Sequence, residues 1–556
     1  MEPNMVVRKT FKRAKVAIAI AAVFFHFATP NTRAQEELKD FDYWADLCHS
    51  LLEDNRAEMA MAACDKAIAL NANDAVTWAD RGDALFALDR YTEAIVAYDR
   101  ALRLQPSSAR VWTRKCAAQA ETNKFKPAIS SCETALRVDT NWEDLTPAIA
   151  LYYRGFALQQ AGRIDQALSS YNRAIQIDPQ LPLPQAGRCQ ALLIANDLDR
   201  ALDACDRALQ ADGSWQPRQP AFGWALRGRV LQRMERYDRA LDSYDNALAM
   251  QPDDAATWTR HGEVLNRLGR NAEALTSHDW AVQIRPEYAL GLANRCATLN
   301  QLGQFEDALA ACDRALQEGN GQWGEWGPAF AWNQRGNALI GQGSYEEALG
   351  SFSRAIALEP EYAAPWSNRS VALWNLGRFG DALAATEQAI ELNPDSSRAW
   401  FNRGRILATL GRTDEAISAY DFALEGDANF GDDPTLADIW VNQSALFWRV
   451  ERYGDAVVAA DRAIALDSNL PEAYYNKGLS LMAQGRYPEA AEAYNSAINL
   501  DTDNADFWAG QGIALRHMAN YPDAIAALEK ALELEPNHPQ AQQNLAIARE
   551  RVGGAD

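Results

Sequence analysis

Trp78 to Pro106 reads WADRGDALFALDRYTEAIVAYDRALRLQP. Helical runs lie on either side of Asp89-Arg90, and Pro106 cannot continue the second. The stretch therefore predicts a helix, a short turn, a second helix and a stop. Laid over itself at a period of 34, the chain repeats this pattern in fourteen units. Numbered so that Trp78 is position 4, every unit has alanine at two places seven residues apart, from Ala60/Ala67 and Ala94/Ala101 to Ala490/Ala497 and Ala524/Ala531. Seven residues are two helical turns, so each pair forms a small-residue stripe where another helix can approach closely. Position 4 itself holds Trp44, Trp78, Trp112, Trp224, Trp258, Trp332, Trp366, Trp400, Trp440 and Trp508, with Tyr474 in the thirteenth unit. These ten of the seventeen tryptophans are expected in the core, and no stretch has a strand pattern.

Trp78, Gly82, Leu85, Tyr91, Ala94, Tyr98, Ala101 and Pro106 resemble the signature of the tetratricopeptide repeat family. The resemblance covers residues 41–537 and implies an all-α, right-handed superhelical solenoid of about fourteen helix-turn-helix units. It implies little about function, because one such fold serves many. Residues 35–40 are a short lead-in, and the junctions near 139–149, 211–221, 318–329 and 427–437 are longer than the rest. In residues 538–556, Pro539 to Arg551 reads as a polar capping helix with Leu545 and Ala548 on one face, closing the last unit. The repeat style, with Arg-Gly at positions 7 and 8 and Tyr-Asp-Arg-Ala in the second helix, is similar to that of bacterial, including cyanobacterial, proteins.

All eight cysteines occupy positions 8 and 24: Cys48/Cys64, Cys116/Cys132, Cys189/Cys205 and Cys296/Cys312. With the turn centred near position 16, these positions are level on facing helices. Other units support contact: glycine at 8 meets a ring at 24 in Gly82/Tyr98, Gly155/Tyr171, Gly228/Tyr244, Gly336/Phe352, Gly404/Tyr420 and Gly478/Tyr494. His278, at position 24, reads as a core substitute for those rings. A cysteine pair in such a place is either a disulfide or a volume-matched buried pair.

Residues 1–34 favour the disulfide. Arg8, Lys9, Lys12, Arg13 and Lys15 precede the apolar run Val16 to Ala28, and small residues flank a cut before Gln35, the pattern of a secretory signal peptide. Export to the periplasm or medium would place the thiols where disulfides persist. The alternative is an uncleaved anchor, in which case the protein would associate with a membrane. The apolar run, interrupted by His26, is shorter than the roughly 20 residues that a span needs. No cysteine lies at the cut to take a lipid. Losing six basic residues and one acidic residue there takes the net charge from −21 to −26. So acidic a surface argues against nucleic acid as a partner.

Position 7 carries Arg81, Arg154, Arg188, Arg227, Arg295, Arg335, Arg369 and Arg403, while position 25 is often acidic. A ladder of ion pairs between neighbouring units is expected; the alternative is a basic stripe for an acidic ligand. In the family that this chain resembles, asparagine at position 6 lines the concave groove and holds extended peptide backbone. That residue row here is Asn294, Gln334, Asn368, Asn402, Asn442 and Asn476, in units eight to thirteen. An amide both donates and accepts, so it can read backbone with little regard to sequence. Two long junctions end alike, in Pro-Ala-Phe-x-Trp at Trp224 and Trp332; their aromatics either dock a partner or cover the seam that the insertion opens.

Catalytic and metal chemistry find no support. Gly319, Gly321 and Gly324 match GxGxxG but follow a helix, whereas the dinucleotide fingerprint follows a strand. No CxxC or HxxxH spacing, nucleophile elbow or HExxH occurs. The expected function is a non-enzymatic scaffold for a protein or peptide partner, without cofactor, in an assembly or chaperone-like role. The alternative is a structural part of an envelope secretion or polymer-export complex.

Overall fold

The structure is a computed structural model describing residues 40–138, 142, 145–215, 219–427 and 435–553. The proposed signal segment, and parts of three of the long junctions, lie outside those residues. The described residues form twenty-nine α-helices and no strand, from α1 (Phe41–Glu53) to α29 (Pro539–Gly553). The chain divides into two compact units at Pro252/Asp253. The first holds hairpins one to six, and the second holds hairpins seven to fourteen with α29.

Seven of the fourteen hairpins begin at a side-chain cap, and all bend at one residue. Asp74 accepts the Thr77 amide at 2.7 Å to start the helix Ala75–Ala87, satisfying a donor that the first turn leaves unpaired. At the bend, position 15 has positive φ in all fourteen hairpins: Asn55, Asp89, Asn123, Gly162, Asn196, Glu235, Gly269, Gly303, Gly343, Gly377, Gly411, Glu451, Gly485 and Ala519. The next amide then bonds back into the first helix, as Arg90 does to the Leu85 carbonyl at 2.9 Å. This motif reverses the chain in few residues and aligns the two helices.

Alignment brings the small-residue positions into register. Both alanines of the stripe are buried in every hairpin. Positions 8 and 24 touch: a Cβ on Gly82 would lie 2.4 Å from the Tyr98 ring, and one on Gly336 would lie 2.4 Å from Phe352. Where the pair is cysteine, the structure joins it: Cys48–Cys64, Cys116–Cys132, Cys189–Cys205 and Cys296–Cys312 are disulfides with Cα separations of 5.1 to 5.4 Å. His278 does take the place of a ring, wholly buried against Gly262. At the end, α29 covers the last hairpin with Ala541, Leu545 and Ala548.

The tryptophans correct one expectation. Of the ten at position 4, only Trp44 is buried and the other nine are half-buried. The indoles of Trp78, Trp112, Trp366, Trp400 and Trp508 donate to the preceding loop, as Trp112 does to the Pro106 carbonyl at 2.9 Å and Trp400 to Pro394 at 2.8 Å. A large ring with one polar edge suits that boundary, sealing the seam while its N–H meets a carbonyl near solvent.

Candidate functional site

The position-7 arginines form the ladder between hairpins. Arg81 pairs with Asp65 at 2.6 Å, Arg154 with Glu133 at 3.0 Å, Arg227 with Asp206 at 2.6 Å, Arg295 with Asp279 at 2.6 Å and Arg335 with Asp313 at 2.7 Å. Lys115–Asp99 and Lys477–Asp461 fill the same slot, each at 2.7 Å. The ladder breaks at Arg188 and Arg369, where Asn172 and Ser353 occupy the acidic position, and also at Arg403, which does not pair with Glu387 although that acid is present. Arg369 and Arg403 lie over Trp366 and Trp400, 5.7 and 5.4 Å from the ring centroids. Partly exposed pairs of this kind contribute little each, and their repetition fixes register between hairpins.

The asparagine row also reaches across hairpins. Asn294, Asn368 and Asn402 are buried, and their amide groups donate to Glu263 at 3.2 Å, Asn333 at 2.9 Å and Ser367 at 3.1 Å. Asn476 donates to the Val441 carbonyl at 3.2 Å, and Asn442 to Asp438 in its own helix at 2.7 Å. Gln334 accepts from Asn300 and Asn337. Asn442, Asn476 and Gln334 are half-buried and keep polar atoms near the surface of the first helices.

The long junctions fold back on the seams. Trp215 packs between the cores on either side, and a Cβ on Gly223 would lie 2.5 Å from its ring. Trp323 packs with Leu292 and Ala293, while Trp326 stacks on Tyr362 at 4.7 Å. Asn320 and Leu290 complete that loop with backbone bonds to Glu287 and Gln322.

The first unit contains a cleft of about 760 Å³. Its walls come from the first helices of hairpins one to five: α1, α3 (Ala75–Ala87), α5 (Ala109–Glu121), α7 (Pro147–Gln160) and α9 (Pro182–Ile194). One part is ionic. Arg110 pairs with buried Asp80 at 3.2 Å and closely with Asp83, Arg114 lies 3.6 Å from Asp83, and His49 is 3.1 Å from Asp80. The Tyr98 hydroxyl, reaching from the core, donates to Asp83 at 2.7 Å. Burial raises the Asp80 pKa above the usual carboxylate value, while Arg110 beside it opposes the shift. The other part is apolar, with Phe86, Leu145, Ile149, Tyr152, Tyr153 and Leu183.

Sequence reading missed this cleft, although it held a signal. Position 6 in these hairpins is Asp80, Arg114 and Tyr153 where later hairpins have asparagine. Nothing in a single unit shows that these unlike side chains meet, since they come from different repeats. Among the described residues no group of histidine, cysteine, aspartate and glutamate is arranged to hold a metal. No described helix is long and apolar enough to cross a membrane.

Comparison with known proteins agrees with the fold. Tetratricopeptide repeat profiles match residues 75–108, 148–181, 226–289, 367–434, 442–506 and 505–538, and a TPR repeat profile matches 336–377. Together these matches span more than half of the chain. Among solved structures, the APC/C hetero-tetramer Cut9–Hcn1 aligns at 15% identity over 94% of this chain and 99% of that one, with a TM-score of 0.51. YrrB, described as a TPR protein with an unusual peptide-binding site, aligns at 24% identity over 34% of this chain and 96% of its own, with a TM-score of 0.31. Naa15/Naa10 bound to HypK aligns at 14% identity over 94% and 93% of the two chains, with a TM-score of 0.35.

Proposed function

The chain belongs to the tetratricopeptide repeat family, and from that premise we propose that it is a non-enzymatic scaffold holding an extended polypeptide along its first helices. The observation that carries this reading is that successive first helices bring unlike polar and apolar side chains to one surface, enough in the first unit to make a cleft of ligand size. In the second unit the asparagine row supplies the complementary contact. Asn442, Asn476 and Gln334 would reach peptide backbone directly, and Asn294, Asn368 and Asn402 would do so with the amide capacity their cross-hairpin bonds leave. Replacing Asn368, Asn402 and Asn442 together by alanine should weaken binding of the native partner. Unchanged binding by a folded triple variant would remove the row from the site.

Four disulfides support a place outside the cytosol, where such bonds persist, and the asparagine row supports an assembly or chaperone-like role there. The second reading, a structural component of an envelope secretion or polymer-export complex, rests on the same disulfides. Intact mass after thiol alkylation, with and without reduction, tests the compartment. A chain from Gln35 with thiols appearing only on reduction supports export; a full-length chain alkylated eight times without reduction refutes it.

A further inference from the structure

We propose that the first-unit cleft, rather than the asparagine row, is the primary docking site, and that it takes an extended segment pairing an apolar residue with a lysine or arginine. The inference rests on the scaffold reading and names the chemistry of its partner.

Charge decides the sign. Four carboxylates belong to the cleft and its floor, Glu53, Asp80, Asp83 and Asp89, against two guanidiniums, Arg110 and Arg114. Arg110 lies against Asp80 and Asp83, and Arg114 against Asp83, inside the ionic part of the wall. An acidic ligand would have to displace those carboxylates, leaving them desolvated and uncompensated. Glu53 and Asp89 are placed differently. They close the first helices of hairpins one and two at the rim; Glu53 is 73% exposed and its ion-pair partner is His49, 3.9 Å away. Asp89 accepts the Tyr91 hydroxyl at 2.5 Å, which orients it without neutralising it. The rim therefore favours a cation.

Shape decides the rest. Below that rim, Leu145, Ile149, Tyr152 and Leu183 offer an apolar floor that a lysine alone would leave unfilled. In an extended chain residues two apart share a face, so an apolar side chain and a cation at that spacing can enter together. The stems of lysine and arginine also cover apolar surface, and Tyr91 and Phe86 stand beside the carboxylates as rings for the cation to pass. Three of the four disulfides belong to hairpins one, three and five, which line this cleft. The hairpins that shape it are thus held at alternate repeats.

The test is selection of short random peptides displayed on phage against the full oxidised chain, followed by fluorescence anisotropy with the selected peptides. Expected is enrichment of lysine or arginine two residues from leucine, isoleucine or valine. Binding should then weaken about five-fold in Glu53→Gln/Asp89→Asn, and fall with added salt. Asn fits the positive-φ position at Asp89, as Asn55 and Asn123 do, so this variant keeps its turn. Selected peptides that are acidic or uncharged, or whose binding ignores both substitutions, overturn the proposal. If binding responds only to Asn368→Ala/Asn402→Ala/Asn442→Ala, the scaffold stands and the cleft assignment falls. If no peptide is selected, both fail.

Discussion

The two units solve one problem, how to stack hairpins, with different chemistry. Hairpins one, three and five of the first unit close positions 8 and 24 with disulfides, and its first helices share a buried ionic network around Asp80 and Arg110. The second unit has one disulfide in eight hairpins, and joins neighbours through amides such as Asn368 to Asn333 and through Arg405 lying over Trp374 of the preceding hairpin. Their turns differ too. The first unit bends mostly at asparagine or aspartate, while the second bends at glycine in six of eight hairpins. Disulfides and buried ion pairing thus gather where the cleft is, while the second unit shares only the partly exposed ion-pair ladder. At the docking site we propose, such restraint would lower the ordering cost of binding.

The comparison breaks most sharply at Arg110. Replacing it by leucine leaves Asp80 and Asp83 facing a desolvated wall without their main counter-charge, and should cost about 3 to 5 kcal/mol. Hydrogen exchange resolved along the chain should show the loss in hairpins one to four and spare the second unit; an even loss throughout would mean that the units do not act separately. Removing one staple by Cys116→Ala/Cys132→Ala should cost roughly 3 kcal/mol in the chain-entropy picture. The same double change at Cys296 and Cys312 should destabilise only the second unit, and denaturant melts of both variants check this.

His278 sharpens the contrast through pH. Burial, with help from neighbouring positive groups, lowers its pKa from 6.5 to about 3, and neither ring nitrogen has a hydrogen-bond partner among the described residues. The unfolded chain therefore takes up the proton first, so stability is full above about pH 6.5 and falls as pH drops toward 3. At about pH 5 the penalty is roughly 2 kcal/mol. His278→Tyr should abolish this dependence, by restoring the ring that Tyr244 presents at the same position; melting the variant and the parent across that range decides it. Smallest is the turn. Ala519 adopts a φ of 60°, where a β-carbon is unfavourable, so Ala519→Gly should raise the stability of the last hairpin by about 1 kcal/mol. A thermal melt that does not rise would mean that Ala519 carries no such strain.

The sequence by itself determined the period, the hairpin, the contact between positions 8 and 24, and the arginine–carboxylate ladder. These contacts join residues at fixed separations, either within one hairpin or to its neighbour, so repetition along the chain displays them many times over. Only the tertiary structure decided the half-burial of the position-4 tryptophans, the cross-hairpin use of Asn294, Asn368 and Asn402, and the cleft. Solvent exposure at position 4 depends on the loop its indole meets, and an amide's partner on the spacing of adjacent hairpins. The cleft joins Asp80, Arg110, Tyr152 and Leu183, from four different hairpins, and no single period records it. A repeat makes its scaffold legible because every unit restates it. Its recognition surface is made from the positions where the units differ, and those acquire meaning only once the helices are placed side by side.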